Sequence, residues 1–311
     1  MDLLWPIKWI IELILIGFHS LITAMGLPTD GGLTWVLSIV GLVLVVRAAL
    51  IPVFVKQIKS QRNMMLVQPE LQKLHKNYMV KHDRDSREKF AKEQMALYKR
   101  TGSNPLSSCL PLLLQMPIFM GLFFVLNGAQ TGGAGVGLMT TELAQSFSAS
   151  TIFGAPLKAT FLGSDLIEVK IVAAVMIIVM TTTQFITQKQ IMSKNQNPDV
   201  QNSQYMQTQR ILLYAFPLIF MISGITFPLG VMTYWLTSNF WTMGQQFIVI
   251  RNMPTPGSPA FQARQLRLEK KGKLPKPEQG AIAVEAEVDQ KGQRTQPVGK
   301  TRAKKTTPKK K

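Results

Sequence analysis

LTWVLSIVGLVLVVRAALIPVF, residues 33–54, decides how the rest of the chain is read. Its roughly 22 residues are almost pure hydrocarbon. At about 1.5 Å of rise per residue they cross a bilayer core of about 30 Å. One residue interrupts the run, Arg47. An arginine held at mid-membrane costs about 2.5–3.5 kcal/mol on insertion scales. Either its side chain snorkels to the interface or it sits in a wet, protein-lined space. The next charge is Lys56, nine residues on, about 13 Å along the axis. An arginine side chain reaches on the order of 6–7 Å, and helical side chains lean toward the N-terminus, away from that end. Snorkelling reaches the interface poorly. The expectation is a polar cavity that opens toward the Lys56 side.

Working outward, further apolar runs lie at 106–126, 171–186, 211–226 and 229–250, separated by Gly132-Gly133, Asn197-Pro198 and Phe227-Pro228. The formal net charge of +18 is unevenly placed. Residues 56–100 hold 12 Lys/Arg against 5 Asp/Glu, and residues 251–311 hold 16 against 5, so these two regions carry the whole excess. By the positive-inside rule both are cytoplasmic. The acidic-leaning 127–168 loop is then outside and the short 189–210 loop inside. Five crossings satisfy this alternation.

The expected fold is an all-α polytopic membrane protein. Residues 1–32 form an N-terminal apolar or amphipathic helix and linker. Residues 33–250 form the core, with spans near 33–54, 106–126, 169–187, 211–227 and 229–250, a cytoplasmic helical hairpin over 56–103 and an extracellular loop over 127–168. Residues 251–311 form a disordered basic tail.

Residues 1–26 admit three readings. Lys8, Glu12, His19 and Thr23 fall on one helical stripe, which with Trp5 and Trp9 fits an interfacial helix. The hydrophobicity fits a true span. A cleaved signal is the third, with a poor cleavage site around Met25-Gly26-Leu27-Pro28. In the 56–100 region, Gln57–Val67 continues the first span. Pro69 suits the first position of a new helix, carrying Leu71, Leu74 and Tyr78. Asp83-Arg84-Asp85-Ser86 reads as a capped turn before a helix bearing Phe90, Gln94, Leu97 and Tyr98. The apolar stripes of this hairpin, including Met64 and Met65, should pack together or meet a partner helix.

Asn104-Pro105 reads as a cap and first turn for the next span, which contains Pro111, Gln115 and Pro117. Thr181–Gln184 and Gln188 make the third span polar at its inner end. Tyr234, Trp235, Ser238 and Asn239 do the same in the last. With Arg47, and setting aside Ser223 and Tyr234, the polar residues of the spans lie at mid-depth or toward the cytoplasm, whereas the outer halves are mostly Leu, Val, Ile, Phe and Gly. That pattern fits a pocket dry outside and open inside, and not a through-pore. The tail is too poor in large apolar residues to bury a core. Its lysines Lys304, Lys305, Lys309, Lys310 and Lys311 suit anionic lipid headgroups or ribosomal RNA phosphates.

No phosphate loop, dinucleotide fingerprint, zinc-protease motif or nucleophilic triad stands out, and the three histidines are dispersed. The single cysteine, Cys109, excludes an intrachain disulfide or CxxC site and reads as a small buried residue. No lipobox-type cysteine lies near residue 1. An enzyme, a metal site and a cofactor are not expected, and no acidic pair within a span supports proton-driven transport.

Several stretches together resemble the YidC/Oxa/Alb family of membrane-protein insertases. They are Arg47 in the first core span, VKQIKSQRNMMLVQPELQKLHKNY (55–78), GSNPLSSCLPLLLQMPIF (102–119) and FPLGVMTYWLTSNFWTMGQQ (227–246). IFGAPLKATF (152–161) and the lysine-rich tail are similar to the actinobacterial branch. The resemblance implies a five-helix core around a hydrophilic groove, open to cytoplasm and lipid and closed outside, in the bacterial cell membrane. It puts the groove arginine on Arg47, a groove glutamine on Gln184 or Gln188, and a groove aromatic on Trp235. Gln115 and Tyr234 join them by polarity. The implied partners are nascent membrane proteins, the Sec translocon at the hairpin, and the ribosome through the tail, with no small-molecule substrate. A small-solute transporter using Arg47 as an anion site, and a scaffold tethering ribosomes or lipid, are the competing classes.

Overall fold

The computed structural model describes residues 2–79, 83–102, 110–195 and 204–273. Cys109, His82, Asn104-Pro105, Asn197-Pro198 and the five tail lysines lie outside the described residues. The described helices are α1 (Trp5–Ala24), α2 (Gly32–Ala49), α3 (Ile51–Met79), α4 (Arg84–Thr101), α5 (Leu110–Gln130), α6 (Thr141–Ala149), α7 (Ile167–Lys194), α8 (Gln204–Thr226), α9 (Leu229–Asn252) and α10 (Pro259–Glu269). A two-residue strand pair, β1 (Thr151–Ile152) and β2 (Ala155–Pro156), lies between α6 and α7.

The chain is an all-α polytopic membrane protein. By length and composition α1, α2, Leu113–Gln130 of α5 and α7 can cross a bilayer, and α8 holds a shorter apolar stretch, Leu213–Thr226. Large apolar side chains stand exposed along these helices: Leu44 and Val45 on α2, Ile171, Val175 and Ile178 on α7, Leu218, Ile219 and Ile222 on α8. A water-soluble surface does not tolerate such stripes; lipid does.

α1 is an integral wall of the bundle. It packs on α2 and α5 and buries Ile11, Glu12, Leu15, Ile16 and His19. Glu12 is 1% exposed. Its carboxylate accepts backbone N–H bonds from Val136 (2.9 Å), Gly137 (2.7 Å) and Met139 (3.3 Å). A side chain at Gly135 would overlap this carboxylate, so the loop needs glycine there. The His19 ring lies 4.1 Å from that of Trp35, and Trp35 Nε1 donates to Ser146 Oγ at 3.1 Å. These long-range bonds pin the 131–150 segment over the ends of α1 and α2.

α9 packs on both α2 and α7, and α7 packs on α8. The α8–α9 turn is tied to the same cap: Leu229 N–H donates to Ala159 O (3.0 Å) and Gly230 N–H to Leu157 O (2.9 Å).

Three expectations are corrected. The 33–54 segment is not one helix, because α2 ends at Ala49 and α3 begins at Ile51. Pro52 has no N–H for the carbonyl four residues back, and its ring crowds that carbonyl. The chain still turns nearly helically at Leu50, whose N–H reaches Val46 O at 3.1 Å. Second, Pro69 opens no new helix and sits inside α3. A helix-interior proline costs about 3 kcal/mol. Here Val67 and Leu71 on either side are buried with Leu97 and Tyr98 of α4, with Met64 alongside, and that packing holds the helix together. Third, residues 251–273 are not an unstructured tail. Asn195 Oδ1 accepts from Thr255 N–H at 2.8 Å, and Ser258 Oγ caps α10 at Phe261 N–H.

Candidate functional site

Among the described residues the main apolar core cluster lies at one end of the bundle, while Leu213, Val249 and Ile250 are buried outside it. On α2 it comprises Trp35, Ile39, Leu42 and Val43 and stops before Arg47. On α5 it comprises Leu122, Val125, Leu126 and Ala129, with Phe119 and Phe123 packed against it. On α7 it runs from Val169 to Met180, and on α9 from Leu229 to Tyr234. α2, α7 and α9 enter from the cap and α5 leaves toward it, so these limits fall at one level.

At that level the polar side chains gather. Gln115 Nε2 donates to Tyr234 Oη at 2.7 Å, joining α5 to α9 across 119 positions. Arg47 is half-buried and close enough to Tyr234 for electrostatic interaction. Its Cζ lies 5.8 Å from the Phe54 ring centroid, beyond the Leu50 break. Among the described residues no carboxylate pairs with Arg47. A half-buried guanidinium beside a phenol and a ring, without a carboxylate among the described residues, retains attraction for an anion.

Trp235 does not stand in open space. Its ring packs against Phe220 (4.8 Å), Phe119 (5.3 Å) and Phe227 (5.4 Å). These three phenylalanines were not singled out from sequence. Only their neighbours' polarity marked the region, since phenylalanine in a span ordinarily reads as lipid-facing.

The α7 residues are placed less centrally. Gln184 and Gln188 are both half-buried, one turn apart. Gln184 makes no hydrogen bond to Arg47, Gln115 or Tyr234 among the described residues. Thr183 and Thr187 bond their own helix, to Val179 O and Thr183 O at 2.8 Å. Thr181 Oγ1 is buried without a partner. Asn239 Nδ2 reaches Met180 O at 3.4 Å and ties α9 to α7 at the core's edge. The structure thus joins Arg47, Gln115 and Tyr234, sets Trp235 in an aromatic wall beside them, and leaves the two glutamines on the adjoining helix.

The family model described as 60Kd inner membrane protein matches residues 27–256. A protein of Streptomyces avermitilis named membrane protein insertase YidC is 46% identical over 274 residues, covering 85% of this chain and 61% of its own length. One of Tropheryma whipplei (strain Twist) with the same name is 41% identical over 314 residues, 97% of this chain and 96% of that protein. One of Bifidobacterium longum, again so named, is 32% identical over 318 residues, 97% and 95%. This chain therefore spans about three fifths of the Streptomyces relative and nearly all of the other two. The match takes in Arg47, the α3–α4 hairpin, Gln115, the two glutamines and Tyr234-Trp235, and on that extent the chain belongs to the 60Kd inner membrane protein family.

Proposed function

We propose that this protein is a membrane protein insertase and chaperone, acting on nascent integral membrane proteins through a groove that is wet from the cytoplasmic side and ends at the buried core. The observation that supports the reading is the shared level at which the main apolar core cluster ends on α2, α5, α7 and α9, with the Gln115–Tyr234 bond and Arg47 near it and, among the described residues, no carboxylate on Arg47. Family membership supports the same reading, as do the names of the relatives.

The physical steps are few. An unpaired guanidinium attracts acidic residues of an outgoing segment. A wetted half-channel shortens the distance over which a polar stretch must shed water. The client's apolar helix then slides into lipid, and burying roughly 20 apolar residues there supplies the driving force. The α3–α4 hairpin is the contact for clients and the Sec translocon. The basic tail, on the cytoplasmic side of a bacterial cell membrane, holds ribosomal RNA or anionic lipid. The chemistry is binding and transfer, with no bond made or broken.

The test compares Arg47→Ala with Arg47→Lys in cells depleted of the native protein. Lysine should restore insertion of a client with an acidic outgoing segment, and alanine should reduce it about tenfold or more. Equal, full insertion by both variants would show that the charge plays no part.

A further inference from the structure

The β1–β2 hairpin carries a feature that neither the groove nor the core uses. Its two-residue turn is Phe153-Gly154, with φ of +52° and +78°. Such turns favour Asn-Gly, because a β-carbon at positive φ is strained. A phenylalanine there is the reverse of what turn formation selects, and its side chain is 84% exposed. The base of the hairpin is rigidly mounted. Ala155 and Leu157 are fully buried, and β1 lies so close on α2 that a β-carbon on Gly32 would sit 1.9 Å from Thr151 O. The tip sits beside the first turn of α7: a β-carbon on Gly154 would lie 3.3 Å from Glu168 Cγ. The exposed apolar stripe of α7 starts there, with Ile167, Ile171, Val175, Ile178 and Ile186. From Ile167 to Ile186 that stripe is about 28 Å long, one hydrocarbon core.

We propose that Phe153 is a membrane anchor: the hairpin holds its ring at the cap-side edge of the bilayer, in the same lipid that covers the α7 stripe. An exposed phenylalanine ring is buried favourably at the headgroup–acyl boundary. A ring fixed there sets the depth and tilt at which the cap rests on the membrane, and hence where the polar level of the bundle falls. The proposal rests on the reading of α7 as a span.

Nitroxide-labelled full-length protein in phosphatidylethanolamine–phosphatidylglycerol liposomes tests it. In a Cys109→Ser background, labels go on Phe153→Cys, on Val175→Cys in the α7 stripe, and on exposed Glu142→Cys as the aqueous reference. Collisions with oxygen should exceed those with nickel-EDDA at 153 and more strongly at 175, and the order should reverse at 142. Nickel-favoured relaxation at 153 with oxygen-favoured relaxation at 175 would overturn the anchor and leave α7 as a span. Shielding of 153 from both reagents would place it against protein and also overturn the proposal. Nickel-favoured relaxation at 175 would overturn the span reading, and the anchor with it.

Discussion

Single residues decide two separate matters in this protein, stability near the cap and polarity at the core's edge. Glu12 belongs to the first. Three backbone N–H groups converge on its carboxylate, and removing it leaves the buried Met139 N–H without an acceptor. Glu12→Ala should cost about 1–3 kcal/mol, seen as a lowered unfolding midpoint in nanodiscs, and Glu12→Gln should cost less because one oxygen remains. Tyr234 belongs to the second. Tyr234→Phe keeps the ring and removes only the acceptor for Gln115 Nε2, so stability should fall by about 1 kcal/mol while insertion of acidic-tailed clients falls further. The two sites differed in how far the sequence revealed them. Arg47, Gln115 and Tyr234 were legible because a polar side chain in a hydrocarbon run is costly wherever it points. Glu12 and His19 could be seen only as members of a stripe. Their partners, Val136, Gly137 and Met139 for Glu12 and Trp35 for His19, are supplied by other segments, and no local pattern encodes the Glu12 contacts across more than 100 positions.

At the scale of elements, proline placement marks where the helices deviate. Pro52 sets a one-residue break between α2 and α3 at Leu50, bridged by the Leu50–Val46 and Phe54–Leu50 backbone bonds. Pro69 lies within α3, where neighbouring packing outweighs its cost. Pro69→Ala should therefore stabilise the hairpin by about 1–3 kcal/mol, measured as slower amide exchange over 64–78 without loss of the α3–α4 contact. The sequence separated the hairpin from the spans through its charge and its capped turn at Asp83. It misplaced the helix boundary because a proline reads alike at a first turn and in a supported interior. The hairpin also has its own titration. Tyr78 Oη donates to Glu93 Oε1 at 2.5 Å, and this bond raises the phenol above its ordinary pKa, which is about 10. A raised folded-state value means the bond's contribution is fully present below about pH 10 and is lost as pH rises through the shifted value. Absorbance titration of the phenol should show Glu93→Gln moving it back toward the ordinary range.

At the scale of the whole molecule, the main apolar core cluster fills the cap side of residues 2–264, and the proposed groove takes the other side. The cap, the α8–α9 turn and α1 close one end through bonds between segments far apart in sequence, and the buried core fills the space beneath them. Beyond that cluster lie Arg47 and the Gln115–Tyr234 pair, with Leu213, Val249 and Ile250 buried further along. The expectation of such an asymmetry comes from the distribution of polar residues by depth. The role of α1 as a wall was not legible, because its composition suits an interfacial helix, a span and a signal equally. The most direct test of the asymmetry is sided thiol labelling of single-cysteine variants in a Cys109→Ser background, using a membrane-impermeant maleimide in oriented vesicles. The account predicts that cysteines at 115 and 184 react from the cytoplasmic face alone, while cysteines at 39, 122 and 177 react from neither. Reaction from both faces, or none at 115 and 184, would contradict a groove wet from one side.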